Sequence, residues 1–325
     1  MMGVVEPREL PAWQMGRLPE PFGGFAAVLP QMPSGAPGKV GVLFLRFELR
    51  GERTCLVDSY NTGPQRVHRV LYLDDHLGDM AFVFVQSVAG GILQGDRLAV
   101  EIQVGPGARV HVTGQAAVKV YRMEADYATQ RTLVRVEESG YLEFFNDPII
   151  PYQGARFYNT VDIEADPSAT VLYSEALTPG RVASGESFEY ELIRTRLSAR
   201  MRGGYLRALD VNVLEPRRIP VDSAGLFGTH TFVGSLLVLE PEAKVGVVAD
   251  PIERSVGEVV TANTTGVSRL PRGDGAFVRT LGHSSEEVER VIAVAWRSAR
   301  HHLLGVGLPR VRSAKYGFEL IDLEE

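Results

Sequence analysis

Cysteine is all but missing from this chain: Cys55 is the only one in 325 residues. An intramolecular disulfide is therefore excluded, as is any cysteine cluster for zinc or iron–sulfur chemistry. Positive charge is not in excess either. A net charge of −6 disfavours nonspecific attraction to nucleic acid or to an anionic membrane surface. No run reaches the roughly 18 apolar residues of a membrane-spanning helix. The N-terminus also lacks a basic segment followed by an apolar core, so the expected location is the cytoplasm, with no membrane partner. Gly-x-Ser-x-Gly is absent, and with it the usual serine-nucleophile signature. The seven histidines show no ligand spacing, which argues against a closed histidine zinc site.

What is present is an ordinary globular composition, 45% hydrophobic and 23% charged, with enough chain to bury a sizeable core. Seven of the nineteen prolines fall within Met1–Gly38. Residues 1–38 therefore read as a Pro/Gly-rich flexible leader, pinned where Trp13 or Phe22 finds a groove. Residues 39–325 read as one β-rich domain, without an internal repeat. Turn signals recur at roughly 8–12-residue spacing over much of this region, as in a sandwich or stacked sheet. The expected fold is mainly β, with stacked antiparallel or mixed sheets (sandwich-like or β-helical) and a few helices. One long helix closes it: Ser284 and Glu287 form a capping-box signature, Val288, Val291, Ile292, Ala295, Ala299 and Leu303 follow at helical spacing, and Gly305 stands at C′. His301 and His302 fall in its last turn, where they offset the helix dipole. Asp250 to Ala262 is a weaker helix candidate.

The stretch from Ala89 to Arg122 organises the rest. Gly90, Gly91 and Gly95 lead to Asp96, and such glycines suit close backbone approach or positive φ. Leu98, Val100, Ile102 and Val104 then alternate with Ala99, Glu101 and Gln103, the period-2 pattern of a half-buried strand. Gly105-Pro106-Gly107 turns the chain into a second strand through Val110 and Val112. The reading is a hairpin whose ends carry Asp96 and a cluster of Lys119, Tyr121 and Arg122. A phosphate loop is not expected, since a strand follows the glycines and no Gly-Lys-Ser/Thr ending is present.

Three carboxylates stand out. Asp96 follows the glycines, Glu143 lies inside the apolar strand Leu142-Glu143-Phe144-Phe145, and Glu175 closes Tyr173-Ser174-Glu175. A carboxylate among large apolar side chains is costly unless paired, hydrated or bound to a cation. Ion pairs with Lys119, Arg122 and Arg181, a catalytic acid/base pair, and a water-filled polar path all remain open. Two carboxylates on a β scaffold would suit a β-sandwich glycoside hydrolase, although both tryptophans lie outside the β region.

Five segments then carry a resemblance. Gly90–Asp96 (GGILQGD), Gln115–Arg122 (QAAVKVYR), Leu142–Ile150 (LEFFNDPII), Gly180–Phe188 (GRVASGESF) and Gly266–Leu270 (GVSRL) occur in this order. Together they resemble the UreD (UreH) family of urease accessory proteins, over about Leu45 to Arg310. The resemblance implies a non-enzymatic, β-rich scaffold that binds the accessory protein UreF and, with the GTPase UreG, docks on apo-urease. It further implies help in nickel insertion through a polar internal tunnel, with no tightly bound cofactor and only Ni²⁺ in transit. Asp96, Glu143 and Glu175 become candidate transient metal positions. Gly90, Gly91, Gly95, Gln115, Lys119, Tyr121, Arg122, Arg181, Gly185 and Glu186 become candidate tunnel-associated residues. The chain departs from the family pattern at Gly114 and Val118, each of which removes a hydroxyl that family members often carry.

Overall fold

A computed structural model describes residues 19, 21–25, 40–259 and 265–309. Most of the leader, Trp13 and Arg310 lie outside the described residues, as does the end of the candidate helix beyond residue 259. The strands in chain order are β1 (Val40–Arg50), β2 (Arg53–Asn61), β3 (Gln65–Arg66), β4 (Ala81–Ser87), β5 (Arg97–Val104), β6 (Arg109–Gly114), β7 (Val118–Val120), β8 (Ala128–Val136) and β9 (Tyr141–Phe145). They continue as β10 (Ile149–Pro151), β11 (Arg156–Ala165), β12 (Thr170–Leu177), β13 (Leu192–Met201), β14 (Leu206–Leu214) and β15 (Phe232–Leu239). Helix α1 (Ala249–Gly257), β16 (Thr265–Arg269), β17 (Gly275–Gly282) and helix α2 (Ser285–Leu304) complete the fold.

The strands form two facing sheets. The first has the order β14-β13-β11-β8-β5-β1-β2, and the second runs β16-β17-β15-β12-β9-β6-β4-β3. Between β5 and β13 the chain alternates from one sheet to the other, and the strands stack in parallel within each sheet. This is a solenoid of coils, which is the β-helical form of the expected stacked-sheet fold. Register partners Val100, Thr132, Val161 and Leu197 stand side by side although the sequence around them does not repeat.

The expected β5–β6 hairpin is not formed. β5 pairs in parallel with β1 and β8, while β6 pairs in parallel with β4 and β9 in the opposite sheet. Gly105-Pro106-Gly107 is a corner between sheets, with Gly107 at φ +65° and its N–H donating to Glu138 O on the next coil at 2.9 Å. Ser139-Gly140 and Asp166-Pro167-Ser168 are the corners stacked beyond it, with Ser139 N–H donating to Ser168 Oγ at 2.8 Å. The Ser139-Gly140 turn likewise leads from one sheet to the other, from β8 to β9. Alternation fixes which residues turn inward, but the partner of each strand is set by the next coil. The two true hairpins of the first sheet are β1–β2 and β13–β14. Between β3 and β4 the chain makes one isolated bridge, Leu71 to Phe82.

The inner faces of both sheets meet in one core that includes Val100, Ile102, Val110, Val112, Phe144, Val161, Tyr173 and Leu197. Burying each of the Val, Ile, Leu and Phe side chains stabilises the fold by roughly 1.5–3 kcal/mol. The outer faces differ. On the first sheet, β5 keeps its alternation and sets Glu101 and Gln103 outward, half-buried, with Glu101 paired to Arg135. That of the second is covered by α1 and α2, so all five residues of β9 are buried. Such a run is the signature of a strand buried on both faces. Helix α2 starts and ends where its sequence says: Ser284 Oγ accepts from Glu287 N at 3.2 Å, and Gly305 takes the left-handed conformation at φ +73°. Of the leader, Phe22 is fully buried, stacked on Tyr158 and edge-on to Tyr127.

Candidate functional site

Four of the five motif segments occupy one end of the solenoid. Gly90–Asp96 joins β4 to β5, Gln115–Arg122 begins the return from β6 to β8, Asn146–Ile150 begins that from β9 to β11, and Gly180–Phe188 lies between β12 and β13. These returns stack as the coils do: β7 pairs with β10, and Ile92 bridges Val120. Gly91 is required here, because a Cβ would come within 2.5 Å of Lys119 O. The Tyr121 hydroxyl donates to Gly90 O at 3.3 Å, and its ring meets Tyr152 edge-on. Arg181 lies over Tyr152 at 4.2 Å and pairs with Glu186. That pairing lowers the Glu186 pKa. Gly185, at φ +80°, closes the short turn between the two. Arg122 is exposed beside Gly154.

Two cavities lie at this level between the sheets. The smaller, about 260 Å³, is lined by Gly90, Gly91, Gln115, Lys119, Gln130 and Asn146 among others. The larger, about 490 Å³, is lined by Glu175, Thr195, Asn212, Ser235 and Arg279 together with aliphatic side chains of both sheets. Their polar linings are not scattered. Gln130, Asn159, Thr195 and Asn212 are direct register neighbours across β8, β11, β13 and β14. Glu175, Ser235 and Arg279 are direct neighbours across β12, β15 and β17, and Asn146 N–H donates to Ser174 O to continue that row. Each of these seven strands thus contributes a polar residue to one level of an otherwise largely apolar core, and two polar rows face each other across the gap.

Hydrogen bonds run along both rows. Gln65 Nε2 donates to Gln130 Oε1 at 2.9 Å, and Asn212 Nδ2 donates to Thr195 Oγ1 at 3.1 Å. On the facing row, Asn146 Nδ2 donates to the Tyr173 hydroxyl at 3.3 Å, and that hydroxyl donates to Glu175 Oε2 at 2.9 Å. A residue lining the smaller cavity is thereby connected to a carboxylate lining the larger. Burial, reinforced by the Asp210 charge, outweighs the Tyr173 hydrogen bond and the Arg279 charge and pushes the Glu175 pKa up to about 7. Arg279 is held by Asp210 Oδ2 at 2.5 Å and Asn212 Oδ1 at 3.0 Å, which offsets its guanidinium charge at the cavity wall.

The three carboxylates singled out in the sequence do not converge. Asp96 is buried at the end of the β4–β5 return, where its Oδ2 accepts from Leu93 N at 2.9 Å and its own N–H donates to Leu93 O. It closes a turn, with Gly95 before it at φ +76°. Glu143 points to the outer face of its sheet, beneath α2. Its Oε1 accepts from the Tyr141 hydroxyl at 2.6 Å, Trp296 Nε1 at 2.9 Å and Arg300 Nη1 at 2.9 Å. Its Oε2 lies 2.7 Å from His111 Nδ1, and Arg300 also donates to Asp74 Oδ2. Burial alone would raise the Glu143 pKa; Arg300, His111 and Tyr141 together outweigh it and bring it down to about 2. The ion-pair partner of Glu143 is therefore Arg300; of the cations considered in the sequence, Arg181 pairs with Glu186 instead. Of the three, Glu175 alone lines either cavity, so they do not form the carboxylate pair that a glycoside hydrolase needs.

Sequence reading missed Gln130, Asn146, Asn159, Thr195, Asn212, Ser235 and Arg279. Their signal was present as inward polar residues in otherwise apolar strands, but it becomes a row only once the register is known. Arg300 was more legible, as a charge on the apolar face of an amphipathic helix. The departure at Gly114 has a local cause: Asp147 Oδ2 occupies the space a Cβ would fill. Among the described residues, no group of three or more His, Cys, Asp and Glu side chains is placed to share a metal ion. Among the same residues, no helix is long and apolar enough to cross a membrane.

Comparison with known proteins gives one consistent result. The profile of the UreD urease accessory protein family matches residues 39–313. A urease accessory protein UreD from Photorhabdus laumondii is 38% identical over 285 residues, covering 86% of this chain and 88% of the relative. A second, from Streptomyces griseus and named UreD 2, is 35% identical over 289 residues, 88% of this chain and 98% of the relative. A third, from Yersinia pseudotuberculosis, is 37% identical over 281 residues, 86% of this chain and 87% of the relative.

Proposed function

The chain belongs to the UreD family of urease accessory proteins and so has a role in urease maturation; from that premise we propose that it conducts nickel to apo-urease through the polar layer between its sheets. The observation that carries this reading is the pair of facing polar rows, which draws on both cavities and ends on the Glu175 carboxylate. A conduit must admit a divalent cation without holding it. Amide, hydroxyl and single carboxylate oxygens in succession suit Ni²⁺ in transit better than a closed nitrogen or sulfur shell, which would trap it. The nickel is cargo, and no resident cofactor takes part. Asp96 and Glu143 fall outside this path in the proposal: the first closes a turn and the second anchors a helix.

The same reading makes the protein a non-catalytic scaffold in the cytoplasm that works in complex with UreF, UreG and apo-urease. The stacked return segments, where the motif residues cluster, are the end from which the smaller cavity is reached. Glu175→Ala in the assembled complex is expected to slow urease activation by about tenfold or more, with the chain still folded and still co-purifying with its partners. Activation at the unmodified rate in an intact complex would remove the conduit. Failure to recover UreF or UreG with the tagged chain would remove the scaffold part separately.

A further inference from the structure

Asn159 is the one member of the first polar row that lines neither cavity. It stands in register between Gln130, on the wall of the smaller cavity, and Thr195, on the wall of the larger. Neighbouring strands lie about 4.8 Å apart, so the two walls are about 10 Å from each other with Asn159 midway. Above and below it on β11, Phe157 and Val161 are apolar and buried. Its flanking neighbours turn their known bonds away from it, Gln130 toward Gln65 and Thr195 toward Asn212. The side chain is 5% exposed, and its Oδ1 is enclosed with no hydrogen-bond partner among the described residues.

A buried amide oxygen left bare costs desolvation free energy that an aliphatic side chain of similar size avoids. The usual resolution is an ordered water, which needs both room and polar groups, and cavity space adjoins the register neighbours Gln130 and Thr195 on either side of Asn159. Exchanging the amide's oxygen and nitrogen does not remove the requirement, since it replaces a bare acceptor by a bare donor at the same place. We infer that Asn159 binds an ordered water between the two cavities and so joins them into one hydrated passage. The bound species is a water, either resident or carried in the shell of a passing divalent cation. The use of that water in transit rests on the conduit reading, whereas the water site itself does not.

The test has two arms, both on the full chain. In a high-resolution crystal structure of the complex, ordered solvent is expected within hydrogen-bond distance of Asn159 Oδ1, and a dry contact there overturns the inference. In the thermal-unfolding comparison, Asn159→Leu is expected to leave the melting temperature equal or lower, because the leucine displaces a bonded water; a clear rise marks a dry site and overturns it. For transit, Asn159→Leu in an assembled complex is expected to slow urease activation about tenfold, while Asn159→Ser, which keeps a polar group and leaves room for water, stays within about twofold of the unmodified chain. Ser235→Phe, which fills the larger cavity, separates the two ideas. If it stops activation and Asn159→Leu does not, the junction is misplaced and the conduit stands. If neither variant slows activation in an intact complex, both fall together.

Discussion

Glu143 and Glu175 lie on opposite faces of the same sheet, on neighbouring strands, and they have been given opposite surroundings. Beneath α2, Glu143 is met by Tyr141, Trp296, Arg300 and His111, and its pKa falls to about 2. Between the sheets, Glu175 has one Tyr173 hydrogen bond and a more distant guanidinium already held by Asp210, and its pKa rises to about 7. The first carboxylate is saturated with donors, which is how a buried charge is made to fix a helix against a sheet. The second is left with unused capacity at a cavity wall. A saturated carboxylate has nothing to offer a passing cation, and an under-bonded one does.

The comparison can be broken most sharply at Arg300. Arg300→Met leaves Glu143 and Asp74 buried without their cation, and stability is expected to fall by about 3–5 kcal/mol, read as a shift in the urea midpoint at unchanged slope. A loss no larger than that of an exposed arginine would show that the network does not hold the helix. The acid limb of stability tests the same site. Because the folded pKa of Glu143 is depressed from 4.5 to about 2, its contribution is complete above pH 4.5 and is lost as pH falls toward 2. The amount is on the order of 3 kcal/mol. Glu143→Gln should flatten that part of the profile, and an unchanged acid limb would contradict the assignment.

Glu175 should show the reverse sign and the smallest effect. With its folded pKa raised to about 7, the group costs nothing below pH 4.5. As pH climbs through 7, it withdraws stability, by at most about 3 kcal/mol. In chelator, Glu175→Gln is therefore expected to equal or exceed the unmodified chain in melting temperature at pH 8 and to match it at pH 4.5. Destabilisation at pH 8 would mean that Glu175 is a structural anchor of the Glu143 kind.

The corner turns, the inward aliphatic alternation of β5, and both ends of α2 were legible because each depends on a few adjacent residues. Gly105-Pro106-Gly107 imposes a turn, Leu98 to Val104 specify a buried face, and Ser284 with Glu287 caps a helix wherever these segments fold. The family resemblance was legible too, since the motif segments carry it in order along the chain. Partnership was not. Whether β5 pairs with β6 or with β8 depends on how a later coil docks, so the expected hairpin gave way to a solenoid corner. Glu143 meets Arg300 across 157 residues, and Gln130, Asn159, Thr195 and Asn212 form a row only when four strands from separate coils lie in register. The sequence by itself determined the local conformations and that its buried carboxylates would have to be compensated. Only the tertiary structure decided which one is locked and which one faces a cavity, because compensation is a property of the surroundings, and those are supplied by residues far away in the chain.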